Sequence, residues 1–197
     1  RNKIKKILIT AATSKEIKIL RDLPADKFEL DFLITGIGFE KSRSSLKGVN
    51  LKDYKAIINV GLAGGLTAEI EKGQIILPSE FYWEGHEKDS AVTPPRKLFN
   101  NYDWPEIKSI RPLVTTRQVV DGRKKKEEIL EQFPKAAAVD MEAYPWAEAG
   151  QKKRIDFISL KIISDDCENL DHKTIIQNTG SLMKIIKNSL KKVLTRI

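Results

Sequence analysis

The sequence predicts an α/β fold in which a largely parallel or mixed sheet is covered by helices. Three observations support this prediction. Short apolar runs alternate along the chain with segments whose apolar residues recur at helical spacing. Several of these runs end in small or acidic residues, as strands do where their carboxyl ends meet at a ligand-binding crevice. No internal repeat or linker interrupts the alternation, which is typical of a layered α/β domain.

The first part of the chain alternates regularly between predicted strands and helices. Its elements are a strand at Ile4–Ala11, a helix that begins near Thr13 or Ser14, a strand at Phe28–Thr35, a helix from about Glu40 to Leu46, and a strand at Lys55–Val60. The two outer strands are predicted from short apolar runs, and the middle one from partial alternation. Thr13 and Glu16 have the spacing of a capping box, which supports the first helix boundary.

The second part of the chain continues this alternation with shorter strands. Its elements are strands at Gln74–Leu77 and Phe81–Trp83, a loop at Asp89–Asn101, a strand at Pro112–Thr116, a strand end and turn at Val119–Gly122, a helix at Lys124–Phe133, a strand up to Val139, a helix from about Glu142, a strand at Phe157–Ile163 and a helix from about Lys173 to Leu194. The long loop contains two consecutive prolines and is a candidate cover for a site.

A glycine-rich segment, Gly61–Gly65, follows the third predicted strand. Two interpretations are open: a plain tight turn, or a backbone that approaches a ligand closely and presents its N–H groups to it. The segment lacks the G-x-G-x-x-G spacing of dinucleotide sites and the Gly-Lys-Ser/Thr of a P-loop.

Length and composition narrow the classes of function. With 197 residues, we expect one domain spanning residues 1–197. The net charge is +8, but the cations are dispersed among acidic and apolar residues, so we expect no nucleic-acid partner. No apolar run approaches the roughly 20 residues of a membrane-spanning helix, so no membrane partner is expected. A single cysteine, Cys167, suits a reducing cytoplasm, and two separated histidines predict no metal site and no cofactor that depends on one.

Three acids, Glu16, Glu142 and Asp165, each follow a predicted buried strand. If the sheet brings them together, they form a pocket with acceptors and a proton donor, which suits cleavage through an oxocarbenium-like sugar. Each acid also has a structural interpretation. Glu16 can complete the capping box, Glu142 can favour the positive end of a helix, and Asp165 or Asp166 can cap a helix or form a turn.

The motifs together resemble the purine nucleoside phosphorylase/uridine phosphorylase superfamily, and most closely its nucleosidase branch, such as the methylthioadenosine/S-adenosylhomocysteine nucleosidases. The resemblance covers nearly the whole chain in the same order. The matching segments are ILITAATSKEIKIL, LITGIGFEKS, INVGLAGGL, KGQIILPSE, VVDG, FPKAAAVDMEA and ISLKIISDD. It implies a nucleoside phosphorylase-like three-layer sandwich, with a central mixed, largely parallel sheet flanked by helices, and a hydrolytic nucleosidase that acts on a purine-type nucleoside.

The resemblance also implies a role for each site residue. Glu16 is the base that activates the hydrolytic water, and Asp165 is the acid that hydrogen-bonds or protonates the purine at N7. Glu142 accepts hydrogen bonds from the ribose 2′- and 3′-hydroxyls, and Met141 packs on the sugar. The base pocket is lined by the backbone near four further residues: Val119, Val120, Ala63 and Gly64. No cofactor or metal is implied, and the family resemblance predicts a homodimer, to which Pro94–Asn101 and the aromatic residues at 81–83 are candidate contributors. The aromatic residues fit an ordinary core equally well.

Four positions differ from what is usual in the nucleosidases. Leu62 stands in place of a small polar residue, Val119 in place of an aromatic one, Asp140 in place of Glu, and Lys161 in place of Arg. Three other functions therefore remain as alternatives. They are a phosphate-dependent nucleoside phosphorylase that uses Arg43 and Arg117, a futalosine- or hopanoid-pathway member of the superfamily, and a non-catalytic nucleoside-binding protein.

Overall fold

The structure, a computed structural model, describes residues 5–24, 26–86 and 90–197. Ile4 and Asp89, the predicted first residues of the first strand and of the long loop, lie outside this part. The strands are β1 (Lys5–Ala11), β2 (Phe28–Ile34), β3 (Tyr54–Gly65), β4 (Ile75–Ile76), β5 (Phe81–Trp83), β6 (Ile107–Ser109), β7 (Leu113–Thr115), β8 (Ala138–Asp140) and β9 (Asp156–Asp165). The helices are α1 (Ser14–Leu20), α2 (Phe39–Ser45), α3 (Arg123–Gln132), α4 (Ala143–Lys153) and α5 (His172–Arg196). Most predicted elements are confirmed, and the short β6 was not predicted.

The strands form one mixed sheet that branches at β3. β3 lies between β1 and β9, and beyond the end of β1 its last two residues pair with β8. β2 extends the sheet beyond β1, β7 and β5 extend it beyond β8, and β4 and β6 extend it beyond β9. Among the named strands of the described residues, the β3–β8 and β4–β9 pairs are antiparallel and the other pairs are parallel, so the predicted mixed, largely parallel sheet is confirmed.

Helices cover both faces of this sheet because alternate residues of its central strands point to opposite sides. On one face, α1 and α5 pack on residues such as Ile9, Ile58 and Leu160. On the other face, α2 and α4 pack on residues such as Ile57 and Phe157. The predicted three-layer arrangement is therefore confirmed. No helix among the described residues combines the length and the apolar character that a membrane crossing requires.

The glycine-rich segment is not a tight turn, so that interpretation is wrong. Gly61–Gly65 continues β3, where Gly61 pairs with Lys161 and Gly64 pairs with both Asp165 and Val139. The branching of the sheet explains the glycines, since small residues let three strands approach one another closely. The end of β3 therefore lies next to the ends of β8 and β9, where the acids are.

The long loop does not cover this end of the sheet within its described residues, 90–101. It is held at the opposite end of β9, where Phe157 N–H donates to the Pro95 carbonyl at 2.7 Å and Leu98 N–H donates to Asp156 Oδ2 at 2.6 Å. Asp165 ends the same strand nine residues later, about 30 Å away at about 3.3 Å per residue. The prediction that the loop covers the site is therefore wrong.

One other prediction is wrong, and one open alternative is decided by packing. Val119 and Val120 were expected to end a strand, but they lie in the irregular segment between β7 and α3. Phe81 and Trp83 were candidates for either a subunit interface or ordinary core, and they are buried at 1% and 5% exposure in the core of the chain itself. These two side chains therefore stabilise the sheet rather than present a free surface.

Candidate active site

A cavity of about 400 Å³ opens at the carboxyl ends of the central strands. Its walls come from the start of α1, the β2–α2 loop, the ends of β3, β8 and β9, the segment after β7, and the first turns of α5. This volume lies within the range of small-molecule sites. All eight predicted site residues line it: Glu16, Asp165, Glu142, Met141, Val119, Val120, Ala63 and Gly64.

Glu16 lies in the first turn of α1 and is only 4% exposed. Its Oε2 accepts hydrogen bonds from the backbone N–H and the hydroxyl of Thr13, both at 2.9 Å. The predicted capping box is therefore formed. A Cβ added to Gly61 would lie 3.3 Å from the other oxygen, Oε1, and 3.4 Å from Lys161 Nζ. Glu16 thus caps the helix with one oxygen and places the other beside the end of β3, so its two interpretations are compatible.

Glu142 is held by the β2–α2 loop rather than by its own helix. It occupies the N-cap position of α4 without a capping hydrogen bond from its side chain. Instead, Oε1 accepts from Gly38 N–H at 2.8 Å, and the Glu142 carbonyl accepts from Ser42 Oγ at 2.8 Å. Gly38 has φ +97°, in the left-handed region that favours glycine. The helix-end interpretation of Glu142 therefore does not explain where its carboxylate lies.

A buried ion pair lies beneath Glu142. Lys161 Nζ donates to Asp140 Oδ2 at 2.9 Å, and the two side chains are 1% and 0% exposed. Asp140 also accepts from Thr115 Oγ1 at 2.7 Å and from Ala143 N–H, the first N–H of α4, at 2.9 Å. Asp140 and Lys161, two of the four positions that differ from the usual nucleosidase residues, thus contact each other directly.

The charges in this group shift one another's pKa values. The pKa of Glu142 is raised to about 7, chiefly by burial and next by the charge of Asp140, while Lys161 and the Gly38 N–H act in the opposite direction. Burial lowers the pKa of Lys161, but Asp140 and Glu142 more than offset this and raise it above its ordinary value. Lys161 therefore stays protonated, and Glu142 can take up a proton near neutral pH.

Asp165 ends β9 and is held at both oxygens. Oδ2 accepts from Ser164 Oγ at 2.6 Å, and Oδ1 accepts from Cys167 N–H at 3.0 Å. The backbone of Cys167 is left-handed, with φ +64°, which turns its N–H back toward the carboxylate. Asp165 thus forms a turn, as one alternative predicted, whereas α5 is capped by Asp171 and by neither Asp165 nor Asp166.

Cys167 and Gly64 close the wall beside Asp165. Burial raises the pKa of the Cys167 thiol, which keeps it protonated and unreactive. A Cβ on Gly64 would lie 2.3 Å from Cys167 Sγ and 3.0 Å from Asp165 Oδ1, so only glycine fits there. Val120 and Val119 also line the cavity, and they are 3% and 41% exposed, which places Val119 at the mouth.

A stripe of cavity residues at the start of α5 was not predicted from the sequence. The cavity is lined from one side of the helix by His172, Ile175, Ile176 and Thr179. Their spacing of three, four and seven residues is helical and continues into the core positions later in α5, so the available signal was an apolar face that extends to the start of the helix. Ser164 and Cys167, which orient Asp165, were also missed.

Cationic side chains are scarce around the cavity. Arg43 pairs with Glu40 at 2.7 Å, Arg117 lies 5.2 Å over the ring of Trp83, and neither lines the cavity. In the described part of the chain, Lys15 and His172 are the only Lys, Arg or His side chains that do. The same part of the chain contains no group of three or more His, Cys, Asp or Glu side chains arranged for a metal ion.

The chain is similar to known proteins over most of its length. Residues 33–196 match the family model described as the phosphorylase superfamily. The 5′-methylthioadenosine/S-adenosylhomocysteine nucleosidase of Buchnera aphidicola subsp. Schizaphis graminum is 30% identical over 190 residues, which cover 85% of this chain and 81% of that protein.

Two solved structures share the fold. A Helicobacter pylori 5′-methylthioadenosine/S-adenosylhomocysteine nucleosidase with butyl-thio-DADMe-Immucillin-A has a TM-score of 0.86 at 16% identity and covers 98% of this chain and 99% of its own. A futalosine hydrolase of Helicobacter pylori has a TM-score of 0.85 at 16% identity, with coverage of 98% and 99%.

Proposed function

The chain belongs to the phosphorylase superfamily, and from this premise we propose that it is a hydrolytic nucleosidase that cleaves the N-glycosidic bond of a purine-type nucleoside. The observation that carries the proposal is the convergence of Glu16, Glu142 and Asp165 on one cavity. The relative that is 30% identical is named for methylthioadenosine and S-adenosylhomocysteine, so 5′-thio-substituted purine nucleosides are the proposed substrates. The same convergence argues against a binding protein without catalysis, which needs no set of three acids.

The proposed reaction assigns one step to each acid. Asp165 hydrogen-bonds or protonates N7 of the purine, which then leaves with the electron pair of the broken glycosidic bond. Glu16 takes the proton of the water that attacks the anomeric carbon, and Oε1 beside Gly61 is the oxygen that accepts it. Glu142 holds the ribose 2′- and 3′-hydroxyls, and the developing positive charge on the sugar is favoured by the surrounding carboxylates.

The placement of the arginines supports water over phosphate as the nucleophile. A phosphate needs cationic or N–H donors next to the anomeric carbon. Arg43 and Arg117 are both engaged with aromatic rings outside the cavity, while the nearby cation, Lys161, is paired with Asp140. Glu16 itself repels an anion. We therefore propose hydrolysis rather than phosphorolysis.

The base pocket is proposed to be formed by Val119, Val120, Ala63 and Gly64, with Met141 packing on the sugar. Their position along the wall that ends at Asp165 supports this assignment. Val119, an aliphatic residue at the mouth, offers a smaller contact surface to a purine than an aromatic ring does. We further propose that residues 1–197 form one nucleoside phosphorylase-like domain that acts as a cytoplasmic homodimer, as the family resemblance predicts.

The test is base release from a panel of nucleosides with and without phosphate, followed by chromatography. The panel contains methylthioadenosine, S-adenosylhomocysteine, adenosine, inosine and futalosine. We expect phosphate-independent release that falls by at least about a hundredfold in Asp165→Asn, because general acid catalysis contributes about 10²- to 10⁴-fold. Asp166→Asn is the matched control, since Asp166 is the exposed neighbour that bonds Glu168 N–H. Release only with phosphate would contradict the hydrolytic proposal, and light scattering measures the subunit number.

A further inference from the structure

We propose that Lys15 forms a subsite for a carboxylate on the 5′ substituent, so that the chain favours nucleosides with an acidic 5′ group over neutral ones. The inference rests on the proposed function, because Asp165 and Glu142 define which ends of the cavity hold the base and the sugar hydroxyls. The remaining wall, which the 5′ group faces, comes from α1, the β2–α2 loop and α5.

This wall is apolar on its sides. Ile37, Ile175 and Ile176 line it, and Ile37 and Ile176 are 59% and 64% exposed. Apolar side chains that line a cavity yet stay open to solvent gain from contact with an alkyl or thioether stem. The wall therefore suits a 5′ substituent with an apolar stem, and it leaves the tip of that substituent near the mouth.

Lys15 lies at this mouth with its ammonium group already positioned. Nζ donates to the Ile176 carbonyl at 2.9 Å, which connects the first turn of α1 to α5. An ammonium group has three N–H donors, so two others are available to a ligand. His172 lines the same end and can add a ring N–H.

The rest of the cavity disfavours an acidic ligand, so the position of Lys15 decides where a ligand carboxylate can be bound. Four carboxylates line the cavity: Glu16, Asp140, Glu142 and Asp165. The start of α5 offers no substitute, because Asp171 accepts the N–H groups of Lys173 and Thr174. A ligand carboxylate therefore gains a cationic partner where it reaches Lys15.

A matched pair of ligands tests the proposal: an adenosine with a 5′-(3-carboxypropyl)thio group, and its carboxamide. The quantity measured is the ratio of kcat/KM for the acid to kcat/KM for the amide. We expect Lys15→Met to lower this ratio about three- to fivefold, the size of an exposed ion pair, and Lys15→Arg to retain it. Raising the salt concentration should lower the ratio in the native protein and not in Lys15→Met. Lys18→Met is the control, because Lys18 is also an exposed lysine of α1 but does not line the cavity.

The outcomes separate the two proposals. Base release with equal ratios in the native protein and Lys15→Met would overturn the carboxylate subsite and leave the nucleosidase standing. If no base is released, the proposed function fails. The ligands are then not consumed, so the preference for the acid over the amide is measured instead as the ratio of their Kd values by calorimetry. An acid-to-amide Kd ratio that Lys15→Met leaves unchanged would overturn the subsite in that case too.

Discussion

Replacing Glu142 with Gln should stabilise the fold above neutral pH while weakening the reaction. Glu142 has an ordinary pKa of 4.5 and a pKa of about 7 in the folded chain, chiefly because it is buried. Since each pKa unit corresponds to about 1.36 kcal/mol, ionised Glu142 costs the folded state about 3 kcal/mol. The amide is uncharged and nearly the same size, and its oxygen still accepts from Gly38 N–H.

The sign of the pH dependence follows from proton uptake. Between pH 4.5 and about 7, the folded state binds more protons at Glu142 than the unfolded state does, so this group lowers stability as the pH rises. Above pH 7 the full cost is present, and Glu142→Gln should be more stable than the native protein by up to about 3 kcal/mol. As the pH falls through 7 toward 4.5, that advantage should disappear.

Urea unfolding of both proteins at pH 8, 6.5 and 5 measures this difference. Glu40→Gln is the control, because it removes an exposed acid paired with exposed Arg43 and should change stability by less than about 1 kcal/mol at every pH. Base release by Glu142→Gln should fall at least about tenfold, because a hydrogen bond to a charged acceptor is worth about 1.5–3 kcal/mol. Identical pH profiles for the native protein and Glu142→Gln would refute the reasoning.

Three further changes test other parts of the structure. Lys161→Met leaves Asp140 buried without its cation and should lower the free energy of unfolding in urea by about 3–5 kcal/mol. Lys152→Met, which breaks the exposed pair with Glu148, should lower it by less than about 1 kcal/mol, and similar losses in the two variants would contradict the role of the buried pair. Gly64→Ala should lower the free energy of unfolding by about 1–3 kcal/mol because it overpacks against Cys167 Sγ, and the double variant with Cys167→Ala should recover part of that loss. Strictly additive losses would show that the two residues do not touch. Asp156→Asn weakens the anchor of Leu98 N–H and should lower the urea midpoint with base release unchanged, since this loop is held at the far end of β9; a large loss of activity would show that the loop reaches the site.

Much of the fold was predictable because burial leaves a periodic trace in the sequence. The apolar runs gave the central strands, the helical spacing gave α5, and Thr13 with Glu16 gave the boundary of α1. The short strands were harder: β6 has only three residues, too few for a period to show. The convergence of the acids was also predictable, because parallel strands end at one edge of a sheet.

The sequence by itself determined the order of the strands and helices, most apolar positions of the central strands and which acids follow them, since these follow from local periodicity and motif order. Only the tertiary structure decided what each buried group contacts. The bond from Gly38 N–H to Glu142 spans 104 positions, and no local pattern reports a contact of that kind. Likewise, β3 runs through its glycines because β8 and β9 both approach it there. Packing partners and buried charge pairs depend on how distant segments of the chain are brought together in the sheet, and a local sequence pattern contains no information about that.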